Sequence, residues 1–162
     1  MSSKKNIVLL IAGEGGHFEQ MSRLTSTLKF SDNIDDIYLI TDNIKKELNL
    51  EGVKTLELGE LRGKDGFSIK NAFRYLTKNT IILSKLIFKN NTKIISTGPG
   101  IAIYPSLLCR LSKGKVLHIE TWSRFYSKSM TGKLMYLISN RFYIQNKELA
   151  EIYPKGIYSG RL

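Results

Sequence analysis

The chain has 162 residues, 42% of them hydrophobic, which is enough for one domain with a real core. Its 25 lysines and arginines against 14 acids give a net charge of +11. Such an excess points to nucleic acid, anionic lipid or phosphorylated ligands as partners. A single cysteine excludes an internal disulfide framework, and no uninterrupted apolar segment is long enough to cross a bilayer. Cys109, inside an apolar run, reads as a buried thiol in a reducing compartment. The start, Met1 to Lys5, carries no signal peptide, so an intracellular protein with peripheral membrane contact is expected.

The apolar run from Ile7 to Ala12 reads as a buried strand. It ends in Gly13-Glu14-Gly15-Gly16-His17, after which Phe18, Met21, Leu24 and Leu28 share one face at helical spacing. Strand, glycine loop and helix follow one another. Glycines permit a backbone other residues avoid, and a helix start offers free amide donors to a phosphate. His17 would sit at that mouth, where an imidazole can move a proton near neutral pH. A tight turn with an incidental histidine is the plainer alternative.

Ile37 to Thr41 and Lys54 to Leu58 read as the next strands, and Ser68 to Lys89 as a long helix. On that helix Ile69, Phe73, Leu76, Leu83 and Ile87 would meet the core. Lys70, Arg74, Lys78, Lys85 and Lys89 form a basic stripe, with Ile81 and Phe88 inside it. Basic residues interleaved with exposed apolar ones suit an anionic membrane surface, and a merely solvated lysine-rich face is the alternative. Lys93 to Thr97 is a strand entering a second glycine loop, Ser96-Thr97-Gly98-Pro99-Gly100. A helix over Ile101–Leu111, a strand over Val116–Ile119, a helix over Gly132–Ser139 and a strand over Phe142–Ile144 complete the chain.

This alternation predicts an α/β, Rossmann-like domain over residues 1–162, with a mostly parallel sheet and helices on both faces. Ligands in such sheets bind at the carboxyl ends of the strands, where both glycine loops and Glu120 would gather. The first loop fails the dinucleotide pattern, because Phe18 stands where the last glycine belongs and Glu14 would face a pyrophosphate. No histidine, cysteine or acid spacing suggests a metal. No zinc spacing, helix-turn-helix or RNP-type aromatic pattern supports nucleic acid as a partner.

Gly15-Gly16-His17 with Glu19 and Met21, Thr97-Gly98-Pro99-Gly100, and His118-Ile119-Glu120-Thr121-Trp122-Ser123-Arg124 occur in one order and spacing. With the run Ser129–Tyr136, Gln145, Tyr153-Pro154, Tyr158 and Gly160-Arg161-Leu162, they resemble the membrane-associated subunit of split UDP-sugar glycosyltransferases. That family includes the anchor subunit of asparagine-linked glycosylation and bacterial enhancer subunits of capsule and exopolysaccharide synthesis. The chain is also similar, more distantly, to the N-terminal half of the GT-B enzyme that makes peptidoglycan lipid II.

The resemblance implies a subunit that binds acceptor and membrane while a donor-binding partner holds most of the UDP-sugar, with no further cofactor. The acceptor would be a lipid-linked, pyrophosphate-bearing saccharide at the cytoplasmic face of the cell membrane. His17 would be the general base, and Glu120 would orient the acceptor or act as base itself, unless it merely pairs with Arg124. Gly13, Glu14, Gly15, Gly16, Thr97, Gly98, Pro99, Gly100 and Arg124 would hold the pyrophosphate or line the cleft. His118, in a strand that should be buried, reads as core or as a support behind the site residues, and not as catalytic. Tyr153, Pro154 and Tyr158, in a tyrosine-rich and charge-poor end, would dock the partner. A non-catalytic anchor is the rival. The chain departs from the family pattern at Glu14, where a small hydroxyl residue is usual, at Trp122, where small residues are common, and at Asn146, where tryptophan is common. The N-terminal membrane helix of eukaryotic members has no counterpart in these residues.

Overall fold

The computed structural model describes residues 4–42, 48–57 and 80–162. In chain order these form β1 (Asn6–Ala12), α1 (Gly16–Thr27), β2 (Asp36–Thr41), β3 (Val53–Glu57) and α2 (residues 80–89). Next come β4 (Asn91–Gly98), a 3-10 turn (Gly100–Ala102), α3 (Ile103–Leu111), β5 (Lys115–Ile119) and α4 (Met130–Ile138). The chain ends with β6 (Arg141–Ile144), a second 3-10 turn (Lys147–Ala150) and β7 (Ile157–Tyr158). The sheet order is β3-β2-β1-β4-β5-β6-β7, with every described pair parallel. The fold is Rossmann-like α/β, as the alternation of elements predicts.

The core explains why β1 is apolar throughout. Ile7, Leu9 and Ile11 face one cluster with Leu83 and Ile87 of α2, Cys109 of α3 and Met135 of α4. Val8, Leu10 and Ala12 face the other, with Met21 of α1 and Leu39. A strand covered on both faces needs hydrophobic residues in both registers, and each such side chain contributes about 1.5–3 kcal/mol. The chain runs outward from β1 to β3, returns to β4 beside β1, and runs outward the other way. The crossovers therefore diverge between β1 and β4, which opens a crevice at the carboxyl ends of these two strands.

Element boundaries differ from the sequence expectation in instructive places. β4 begins at Asn91, two residues early, because Asn91 and Thr92 pair with Asn6 and Ile7 although neither is hydrophobic. β7 is a two-residue strand held by Tyr143 and Ile144, too short to show any periodicity. On α2, Leu83 and Ile87 are buried while Ile81, Lys85, Phe88 and Lys89 are exposed, as the pattern predicts. The rest of the helix expected from the sequence, residues 68–79 with Lys70, Arg74 and Lys78, lies outside the described residues. Cys109 is fully buried, and burial pushes its thiol up to about 11, so it is an inert core group.

Asp36, at the start of β2, accepts from Lys5 Nζ and Lys54 Nζ and so ties the amino terminus and β3 to β2. The bonds from Lys54 and Lys5 hold its carboxyl below the usual range. A depressed folded value gives stability that is present above the unfolded pKa and is lost as pH falls through the folded one. Asp36→Asn is therefore expected to be less stable than the parent at pH 7. The two should converge at pH values below the ordinary carboxylate range, read from urea midpoints. A gap that persists in acid would contradict this.

Candidate active site

The carboxyl ends of β1 and β4 are fastened to each other through their glycine loops. Gly13 N–H donates to the Gly98 carbonyl at 3.1 Å. A side chain on Gly13 would collide with the Pro99 ring, since a Cβ there would lie 2.3 Å from Pro99 Cδ. Gly98 has φ +93°, and a Cβ on it would lie 3.0 Å from the His17 ring. Glycine is needed at both positions because the loops and the imidazole touch through bare backbone. Gly15, with φ +65°, turns the chain into α1.

Those contacts fix His17 at the first turn of α1. Its Nδ1 lies 2.6 Å from the Thr97 carbonyl, and Thr97 Oγ1 donates back to the His17 carbonyl at 2.8 Å. A carbonyl oxygen only accepts, so in the neutral ring Nδ1 carries the proton and Nε2 keeps its lone pair. The ring lines a cavity of about 200 Å³ with Thr97, Gly98, His118, Glu120 and Arg124.

Glu120, at the end of β5, is buried beside that cavity. Its Oε1 accepts from Thr121 N–H (3.0 Å) and Ser129 Oγ (2.9 Å), and its Oε2 accepts from the Tyr153 hydroxyl (2.7 Å). Ser129 also caps α4, accepting from Gly132 N–H at 2.7 Å. A Cβ on Gly132 would lie 1.8 Å from Glu120 Oε2. Burial and the bond to Glu120 raise the Tyr153 hydroxyl far above its ordinary value, so it remains a donor. The carboxylate is thus a buried anchor that ties β5, α4 and the C-terminal segment together.

A larger cavity of about 690 Å³ lies at the other end of the strands, lined by residues such as Val8, Ile34, Lys93 and Arg141. Among the described residues it is lined by no carboxylate or histidine, and of the two cavities the smaller one gathers His17, His118 and Glu120. Among the described residues, no group of three or more histidines, cysteines or acids is arranged to hold a metal.

Comparison with known families decides the lineage. Residues 8–162 match the family described as "Oligosaccharide biosynthesis protein Alg14 like". The chain belongs to the Alg14 family. It is 26% identical to the UDP-N-acetylglucosamine transferase subunit ALG14 of Yarrowia lipolytica, over 96% of this chain and 80% of that one. The human protein of the same description is 26% identical over 96% of this chain and 82% of its own. The fold is similar to a UDP-N-acetylglucosamine 2-epimerase (TM-score 0.63, 15% identity, 94% of this chain and 45% of that one). It is also similar to MurG of Acinetobacter baumannii (TM-score 0.56, 15% identity, 87% of this chain and 41% of that one). The chain spans less than half of either structure, and at such identity these likenesses establish the fold.

Within this Alg14-family chain the expected site residues separate into groups. His17, Thr97, Gly98, Glu120 and Arg124 share the cavity. Gly13, Glu14, Gly15, Gly16, Pro99 and Gly100 do not line it. The amide of Gly13 is committed to Gly98, and that of Gly98 to Ser96 Oγ (3.0 Å), so neither is offered to a phosphate. Arg124 does not pair with Glu120. Its Nη1 donates to Ser127 Oγ at 3.1 Å, leaving the guanidinium at the exposed rim.

Tyr153 is a correction. It is 0% exposed, with its ring 4.7 Å from that of Phe142, so it is a core residue and no docking surface. Its tyrosine-rich surroundings gave no sign that the hydroxyl had a carboxylate to meet. Pro154 and Tyr158 are exposed.

Sequence reasoning missed Gln20 as a buried link. Its Nε2 donates to the Gly16 carbonyl (3.0 Å), and its Oε1 accepts from Trp122 N–H (3.2 Å) and Gln145 Nε2. Gln145 in turn donates to the Glu120 carbonyl (2.9 Å) and accepts from Leu162 N–H (3.0 Å). The place of Gln20 at the edge of the apolar stripe of α1, next to Leu24 around the helix, was the available signal. The departures at Trp122 and Asn146 also prove to be neighbours, for Asn146 Nδ2 donates to the Trp122 carbonyl at 2.9 Å.

Gly132→Ala should destabilise the chain by about 1–3 kcal/mol by forcing a methyl into the Glu120–Tyr153 contact. Chemical denaturation would check this, and a loss within experimental error would mean that the cluster yields without cost.

Proposed function

We propose that this chain is the acceptor-side subunit of a two-component UDP-sugar glycosyltransferase. It would hold a lipid-linked, pyrophosphate-bearing saccharide at the cytoplasmic face of a membrane, and a separate donor-binding subunit would present the UDP-sugar. The observation that carries this reading is His17. The Thr97 carbonyl accepts from its Nδ1–H, and the bare Nε2 belongs to a ring lining a polar cavity at the carboxyl edge of the sheet. The names of the relatives favour UDP-N-acetylglucosamine as the donor.

In this reading the acceptor hydroxyl gives its proton to His17 Nε2 as its oxygen attacks the anomeric carbon, and the bond to UDP breaks with UDP leaving. Arg124, at the rim, would meet the acceptor pyrophosphate. Glu120, with both oxygens engaged by donors, is a positioning residue rather than the base. The 200 Å³ cavity is small for a saccharide acceptor plus donor, which fits a site completed by a second chain. Pro154 and Tyr158 remain candidates for that contact.

No helix of the described residues is long and apolar enough to cross a membrane. Attachment would rest on the outer face of α2, where Ile81 and Phe88 stand exposed beside Lys85 and Lys89. The same helical layer exposes Leu107 and Leu111 of α3 and Leu134 and Leu137 of α4, which would widen the apolar contact. The capsule or exopolysaccharide setting expected from the sequence gains no support from relatives in yeast and human.

A transfer assay on membranes carrying lipid-linked acceptor tests the proposal, with the chain alone, with its donor-binding partner, and as His17→Ala in the pair. Activity is expected only in the pair, and the variant should lose about a hundred- to ten-thousand-fold in turnover with the complex intact. Full activity of the variant pair would reduce the chain to an anchor. On vesicles containing phosphatidylserine, Lys85→Ala with Lys89→Ala should weaken binding roughly twenty- to thirtyfold, at about 1 kcal/mol for each charge. Unchanged partitioning would move the membrane contact elsewhere.

A further inference from the structure

His118 is the residue this mechanism leaves unused. It lies on β5 two residues before Glu120, is 1% exposed, and lines the same cavity as His17. Its ring packs against Phe142 with centroids 5.4 Å apart, as a core side chain would. Yet its Nδ1 is sealed from solvent with no hydrogen-bond partner. A buried polar atom left unpaired costs about 1–3 kcal/mol, and native structures carry few of them. An apolar residue would fill this position in β5 without that cost.

The ring's chemistry narrows what it offers. Burial, with a smaller contribution from His17, pushes the imidazole down to about 3, so it is neutral at physiological pH. A neutral ring carries one proton, and an orphaned buried N–H is rarer in proteins than an under-satisfied acceptor. The proton therefore belongs on Nε2, and Nδ1 remains the bare atom. His17 presents the opposite polarity, with its proton on Nδ1 and its lone pair on Nε2. The two imidazoles that line this cavity thus carry opposite tautomers.

We propose that His118 is a substrate-binding residue that donates through Nε2–H to an oxygen of the acceptor saccharide, beside the hydroxyl whose proton His17 removes. This rests on the glycosyltransferase reading of the site and adds the residue that selects and orients the sugar ring. Because His118 is neutral, it holds the saccharide without competing with Arg124 for the pyrophosphate.

Two variants separate this from a core role. His118→Phe keeps a ring against Phe142 and removes the unpaired nitrogen, while His118→Gln keeps a donor. The melting temperature of the full chain is expected to hold or rise in His118→Phe, because the buried polar group is gone. In the two-subunit enzyme the same variant should raise the KM for acceptor about tenfold or more while kcat falls less, and His118→Gln should recover part of that loss. Calorimetric titration of the chain with a soluble sugar pyrophosphate should show the same order of affinity without any turnover. This binding assay keeps the proposal testable if the transferase reading itself fails. A lowered melting temperature with acceptor KM and sugar pyrophosphate affinity within twofold of the parent, in both variants, would make His118 an ordinary core residue and overturn the proposal.

Discussion

The bond from Gly13 N–H to the Gly98 carbonyl is the constraint on which the site depends. It joins β1 and β4 where the crossovers diverge, the one place in a doubly wound sheet where a crevice opens by topology alone. Both glycines are required there, because Pro99 fills the space above Gly13 and the His17 ring fills the space above Gly98. With the loops pressed together, the Thr97 carbonyl lies within hydrogen-bond distance of His17 Nδ1. The tautomer of the imidazole is thus a consequence of backbone packing between two strands. The loops that look like phosphate cradles serve first as a clamp on a histidine.

A second buried network secures the other wall. Glu120 is held by Ser129, Tyr153 and a backbone amide, and the Gln20–Gln145 link runs from α1 to the carbonyl of Glu120 and on to Leu162. Buried polar groups of this kind are tolerated when every member finds a partner, and they then specify one arrangement of the surrounding elements. Here they tie α1, β5, β6, α4 and the C-terminal residues to one another around the cavity. His118, which lines the same cavity, has a buried Nδ1 that finds no hydrogen-bond partner among the described residues.

The fold was legible because its signals are local. Apolar runs such as Ile7–Ala12, the helical spacing of Phe18, Met21 and Leu24, and glycines at strand ends each follow from residues close in sequence. The order of motifs located His17 and Glu120 correctly at one edge. The rest was hidden where partners are distant in the chain. Tyr153 looked like a surface aromatic because nothing nearby reveals Glu120, 33 residues away, as the partner of its hydroxyl. Gln20 drew no attention because its partner Gln145 lies 125 residues on. Gly13 looked like a phosphate ligand because sequence cannot say that its amide is spent on another loop.

The central claim is that the clamp sets His17 as the Nδ1–H tautomer with Nε2 open to an acceptor hydroxyl. With only two histidines in the chain, a two-bond ¹H–¹⁵N spectrum of the imidazole rings resolves both, and a His118 variant assigns them. At a pH where the rings are neutral, His17 should show a protonated, pyrrole-type Nδ1 and a pyridine-type Nε2. A spectrum in which His17 carries its proton on Nε2, or averages between the two forms, would contradict the account, because the ring would then present no fixed base to the cavity.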